Sequence, residues 1–192
     1  MGGGASFLYA ATFPEKTKKI VMVDLIKPIS VQPEKQPKRS AKSIKELLSA
    51  EANHSRTPLY YDYETIINRM IKGYNDSLTE ESAKILMKRG TKQHKNGQYS
   101  FTFDPRIKVA NLLSMTVEQQ KAFAQNLQCK MLIIKASAGP WYEDKAVYDE
   151  MLSIYREKTE VFKFVTLEGS HHIHLNNPEL AAPVIFDFLK DT

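Results

Sequence analysis

The chain has 192 residues, of which 42% are hydrophobic and 26% charged, and a net charge of +5. This size and composition fit one ordinary globular domain and exclude disorder of the whole chain. The single cysteine, Cys129, excludes an intramolecular disulfide and suits a reducing compartment.

Cys129 precedes an apolar run, so it reads as a small core hydrophobe rather than a reactive thiol. Much of the positive excess lies between Lys16 and Lys45, including Lys35-Gln-Pro-Lys-Arg39. Only Phe13 supplies an aromatic between Tyr9 and Tyr60. A basic face that binds nucleic acid interleaves stacking aromatics. The stretch therefore reads as a solvated, lysine-rich linker, and no nucleic-acid partner is expected. Met1-Gly-Gly-Gly-Ala-Ser6 lacks a basic leader region, and its apolar stretch is too short for a membrane span. Gly2 with Ser6 formally fits an N-myristoylation pattern, although the glycines have a better explanation below. Leu189-Lys-Asp-Thr192 matches neither a peroxisomal nor an ER-retention tail. The expected compartment is the cytoplasm, with a peroxisomal or vesicle-associated location held open.

Residues 1–27 begin with small residues in which Phe7, Leu8 and Ala11 share a helical spacing. Pro14 ends that helix, and Lys19–Leu25 reads as a buried parallel strand. A helix followed at once by such a strand is an αβ unit.

Residues 28–128 change character. They open with Pro28, Pro33 and Pro37. A helix follows from Ser40 to Ala50, with Ile44, Leu47 and Leu48 along one face. Tyr63–Tyr74 repeats the pattern through Ile66, Ile67, Met70 and Ile71. A third helix starts at Thr79, with Ile85, Leu86 and Met87 inside and Gly90 as its stop. Asn96-Gly97 and the run to Phe103 read as a turn and strand. Thr116–Leu127 is a further helix with Phe123 inward.

Residues 129–192 restore αβ alternation. The strands are Lys130–Ala136 and Val161–Leu167, separated by a helix over Asp144–Lys158. Pro178 opens a closing helix. The fold class is α/β: about three parallel strands with flanking helices, plus a mainly helical insertion.

Glu168–Glu179 is a loop with three histidines, His171, His172 and His174. A metal site needs further ligands, and the other histidines, His54 and His94, lie in the insertion. No metal and no cofactor are expected. A histidine at the C-terminal edge of a parallel sheet suits catalysis, with a purely structural polar loop as the plainer alternative.

The Gly-x-His loop followed by Leu175 and Pro178-Glu179 resembles the histidine loop of α/β-hydrolases. Met1-Gly-Gly-Gly, with the small-residue helix, Pro14-Glu15 and the strand to Asp24, resembles the segment after the serine of a Gly-His-Ser-Met-Gly-Gly-Gly elbow. Lys88-Arg-Gly-Thr91, and Leu132-Ile-Ile-Lys-Ala136 before a Gly-aromatic stretch, resemble the serine hydrolase-like (Kraken-type) branch. The resemblance covers nearly the whole chain.

That resemblance implies the C-terminal part of an α/β-hydrolase, beginning one residue after the nucleophilic serine. It splits the chain into core (1–27), helical cap (28–128) and core (129–192). It gives the Met1 N–H half of an oxyanion hole, and lets Gly2, Gly3 and Gly4 bring the first helix close to the sheet. It makes His171 the general base and acid. His172 is the weaker assignment, and His174 supports the loop. The triad acid stays open among Asp24, Glu143 and Asp144. The usual place follows the strand ending at Ala136, but the first positions after it lack a carboxylate, and some relatives use the end of the earlier strand, Asp24. Trp141 and Tyr142 would lie near the site mouth, with core packing as the alternative.

The implied substrate is a small, largely apolar ester-like molecule between cap and sheet. The full-length form would hydrolyse carboxylic esters by a Ser-His-acid triad. This chain alone would be inactive, because the nucleophile is absent and Ser6, well inside the first helix, cannot replace it. The uncovered sheet edge would leave it marginally stable and prone to self-association. The other readings are a non-catalytic binding or regulatory homologue and an unrelated basic interaction module.

Overall fold

The computed structural model describes residues 2–53 and 58–190. The helices and strands follow in chain order: α1 (Gly2–Thr12), β1 (Lys19–Val23), α2 (Gln36–Asn53), α3 (Tyr63–Gly73), α4 (Glu80–Gly90), β2 (Thr91–Gln93), β3 (Tyr99–Phe101), α5 (Val117–Ala124), β4 (Lys130–Ala136), α6 (Lys145–Lys158), β5 (Val161–Leu167), α7 (Ile173–Asn176) and α8 (Pro178–Lys190). They form two compact units, one of Met1–Gln32 with Ser114–Thr192 and one of Pro33–Leu113.

The first unit is built on a parallel sheet of order β1-β4-β5. β4 is the middle strand, and Met131 to Ala136 are all buried. That run is what a parallel strand covered on both faces requires. Strand side chains alternate between faces. Ile20, Met22, Met131 and Ile133 cluster with Phe7 and Ala10 of α1, Ala124 of α5, and Met151 and Tyr155 of α6. Leu132 and Ile134 cluster on the other side with Val184, Ile185 and Phe188 of α8.

The unit boundaries differ from the 28–128 insertion expected from sequence. α5 belongs to the first unit, against α1 and α6. The cause is its apolar side. Ala124, and Leu127 just beyond the helix, are almost fully buried in the same cluster as Phe7 and Met151. A capping box on Thr116 and Gln119 starts that helix.

β1 also ends earlier than expected, at Val23 rather than Leu25. Asp24 adopts a left-handed backbone, φ 53°, and leaves the strand. Aspartate tolerates that conformation better than most residues.

In the second unit, α3 and α4 lie side by side, and they bury Ile66, Ile67, Met70, Ala83 and Met87. Ile85 is exposed, contrary to the inward position read from sequence. Ser82 and Ala83 take the inner face instead. α2 starts four residues before Ser40, taking Pro37 into its first turn, where the missing N–H removes no helical bond. Ile44 and Leu48 are exposed, and Ser43 is the buried residue of that helix. β2 and β3 form an antiparallel hairpin, turned through Gly97 at φ 81°. Among the described residues no helix is long and apolar enough to cross a membrane.

Candidate active site

Parallel strands deliver their C-terminal ends to one edge of a sheet, where open α/β folds place their sites. Asp24 follows β1, Ala136 ends β4, and His171 lies four residues beyond β5. The Asp24 N–H donates to Ile134 O at 2.6 Å, one last ladder contact before the chain turns away. The turn buries the carboxylate completely. Its Oδ1 accepts from Lys135 Nζ at 2.5 Å and from the Ala136 N–H at 3.0 Å. Its Oδ2 meets His171 Nδ1 at 2.6 Å.

The histidine loop is tied to the loop after β4. Ser137 N–H donates to Leu167 O, and Ala138 N–H to Gly169 O, each at 2.9 Å. Gly169 N–H donates to Ser137 Oγ at 3.2 Å. Gly169 has φ 147°, and a Cβ there would meet Ile173 Cδ1 at 3.1 Å. The glycine thus permits both the turn and the burial of Ile173, which anchors α7.

Burial pushes the Asp24 carboxyl up. Hydrogen bonds from His171, Lys135 and Ala136 outweigh it and hold the group below its ordinary value. An ionised carboxylate can only accept, so Nδ1 of His171 is the donor, and in the neutral ring this tautomer leaves the lone pair on Nε2. The His171 side chain is 39% exposed, and among the described residues no hydrogen bond reaches Nε2. The arrangement is a histidine oriented by a buried acid, with its basic nitrogen available.

No family model matches the chain. A probable serine hydrolase of Drosophila melanogaster is 32% identical over 193 residues, covering 100% of this chain and 58% of that protein. A serine hydrolase-like protein of Danio rerio is 27% identical over 194 residues, covering 99% of this chain and 58% of that protein. Among solved structures, a hypothetical protein of Pseudomonas aeruginosa superposes with a TM-score of 0.79 at 21% identity, covering 97% of this chain and 62% of that one. The chain belongs to the α/β-hydrolase superfamily, in its serine hydrolase-like branch. It spans less than two thirds of the length of these relatives.

In this serine hydrolase-like chain, only one of the three candidate carboxylates faces the histidine. Glu143 turns to Lys27 instead, accepting from Nζ at 2.5 Å and from the Ser30 N–H at 2.9 Å. Burial raises the Glu143 carboxyl, but Lys27 and Ser30 outweigh it and hold the group low. Lys27 also donates to Gln120 Oε1 and Pro28 O. Asp144 is exposed at the start of α6 and makes no side-chain cap bond.

His172 is pushed down to about 4 by burial and by the neighbouring His171 and His174. His174 is lowered by burial and by His171. Among the described residues no group of His, Cys, Asp and Glu is arranged to hold a metal. His94 bonds to Ser100 Oγ in the second unit, and His54 lies outside the described residues. Met1, expected to supply the oxyanion N–H, also lies outside them.

Trp141 and Tyr142 are half exposed. They line a small cleft with Asp24, Leu25, Ile26 and Pro140, on the acid's side of the site. Trp141 meets Tyr148 edge-on at 5.1 Å, and the Tyr142 N–H donates to Tyr148 Oη at 3.1 Å.

Lys135 was not among the candidates read from sequence. The signal was present: a lysine between Ile134 and Ala136, at the end of the apolar run Met131–Ile134, is almost never buried unless paired. Its partner, Asp24, lies 111 residues earlier in the chain.

Proposed function

We propose that the full-length form of this α/β-hydrolase hydrolyses carboxylic esters through a Ser-His-Asp triad, with His171 as base and acid and Asp24 as the acid that orients it. The observation that carries this reading is the 2.6 Å contact between His171 Nδ1 and the buried Asp24 Oδ2. A serine brought to Nε2 would lose its proton to the ring as it attacked the ester carbonyl, and the ring would return that proton to the leaving alcohol. Water deprotonated by the same ring would then release the acyl group from the serine as the acid. The serine is expected at the position preceding Met1, and the Met1 N–H to face the oxyanion. The two serines of the joined loops are engaged elsewhere: Ser137 Oγ accepts from Gly169 N–H and Ser170 Oγ from Asn176 Nδ2. The exposed indole and phenol of Trp141 and Tyr142 favour an apolar acyl or alcohol group. The 192-residue chain without that serine is expected to be inactive.

The test is labelling by a fluorophosphonate together with hydrolysis of a p-nitrophenyl ester. A full-length form with Gly-x-Ser ahead of Met1 should label and turn over, and its His171→Ala variant should do neither. Labelling of the 192-residue chain alone, or full activity in His171→Ala, overturns the reading.

A further inference from the structure

Two lysines of the first unit are almost wholly buried, Lys27 and Lys135. Lys27 joins Glu143, Gln120 and Pro28, away from the histidine. Lys135 stands one residue before the end of β4, beside Ile134 and Ala136, both fully buried. Strand alternation puts its side chain on the face of Met131 and Ile133, where the core would favour another apolar group. Its ammonium has three neighbours: Asp24 Oδ1 at 2.5 Å, Ala136 O at 3.1 Å, and the Trp141 ring, whose centroid lies 4.9 Å from Nζ. A carboxylate, a carbonyl and an indole face are all groups that favour a cation.

We propose that Lys135 is a positioning residue for His171, acting through Asp24. It occupies Oδ1 and leaves Oδ2 alone to face Nδ1. This rests on the reading of Asp24 and His171 as the acid–base half of a hydrolytic site. The two oxygens of a free carboxylate are equivalent, and the group rotates. With Lys135 and the Ala136 N–H both on Oδ1, rotation would break two bonds, so Oδ2 keeps one direction. The ammonium also keeps the acid ionised where water does not reach it. A protonated Asp24 would donate as well as accept, and the tautomer of His171 would no longer be fixed.

The test is NMR of the 192-residue chain, reading the Nδ1–H proton of His171 and the carboxyl carbon of Asp24. In the unaltered chain the Nδ1–H signal should be shifted far downfield, and Asp24→Asn should abolish that shift. In Lys135→Met, with folding checked by the backbone amide spectrum, the Nδ1–H signal should move or broaden. The Asp24 titration should rise by about one pH unit or more. Lys135→Arg should restore both signals, and Lys27→Met, which removes an equally buried lysine, should leave both unchanged. A folded Lys135→Met with both signals as in the unaltered chain overturns the proposal alone. An Nδ1–H signal indifferent to Asp24→Asn overturns the underlying pair, and the proposal with it. If Lys135→Met does not fold, the lysine ammonium is read directly: a slowly exchanging signal lost in Asp24→Asn supports the proposal, and one that is absent or unaffected overturns it.

Discussion

A Cβ built on Gly139 falls 2.2 Å from Oδ1 and 2.3 Å from Oδ2 of Asp24. The loop after β4 therefore lays its backbone directly against the carboxylate, and the glycine is required for room. Asp24 has no easy retreat, because Lys135, Ala136 and His171 hold both oxygens. Gly139→Ala should force Asp24 off His171. In the full-length form kcat should fall about 100-fold, since a displacement of about 1 Å at such a site costs that much. Gly4→Ala is the comparison, because its Cβ would meet Pro28 at an ordinary 3.8 Å. Ester hydrolysis by both variants checks this.

The three acidic candidates separate by substitution. Asp24→Asn keeps the shape but loses the acceptor that sets the His171 tautomer, so on the proposed mechanism kcat of the full-length form should drop about 10⁴-fold, the loss known for this change in a Ser-His-Asp triad. Asp144→Asn should stay near the unaltered rate. Glu143→Gln strips Lys27 of its buried partner, and breaking such a pair costs about 3–5 kcal/mol. Its effect should appear in urea unfolding more than in kcat, and the reverse ranking would move the acid to Glu143.

The strands were legible because they obey one rule each. Lys130–Ala136 and Val161–Leu167 were bounded by polar or turn residues and came out at those bounds. The end of β1 was not legible, because a left-handed Asp24 is decided by what its carboxylate binds. That depends on Lys135 and His171, 111 and 147 residues away. The carboxylates of Asp24 and Glu143 looked interchangeable for the same reason. Each is claimed by a buried lysine, and only folding shows that Lys27 draws Glu143 away. Helical periodicity marked Ile44, Leu48 and Ile85 as inward, yet all three are exposed. Period alone gives a stripe but not which neighbour covers it.

Acid should weaken the fold in two stages. His172, lowered from 6.5 to about 4, and His174, also lowered, resist protonation when folded. The unfolded chain therefore takes up protons first. The stability these neutral rings confer is complete above about pH 6.5 and is lost progressively as pH falls towards 4. Asp24 and Glu143 act lower. Their folded values lie below 3.8 and 4.5, so their contribution is present above those values and fades beneath them. Urea midpoints should hold level from about pH 7.5 to about 6.5 and then fall towards pH 4, and His172→Gln should flatten that slope. A flat profile over this range would show that the rings are solvated.

Tyr155 ties the core to the site. Its side chain is fully buried beneath the sheet, edge-on to Phe7 with ring centroids 6.1 Å apart. Its hydroxyl donates to Ile26 O at 3.0 Å. Burial pushes the phenol's ionisation far upward, so the group stays a neutral donor. Ile26 lies two residues beyond Asp24 and next to Lys27, so this bond anchors the stretch between the two buried ion pairs. Tyr155→Phe keeps the ring and leaves the Ile26 carbonyl unpaired, at a cost of about 1–3 kcal/mol. Tyr155→Ala also opens a cavity, and large-to-small changes of aromatic core residues cost about 3–5 kcal/mol. Urea unfolding should show both losses as lower midpoints with unchanged slopes. The Nδ1–H signal of His171 should survive Tyr155→Phe, because the bonds holding Asp24 come from β4 and the histidine loop. Loss of that signal would mean that the whole segment from Asp24 to Ser30 moves as one body.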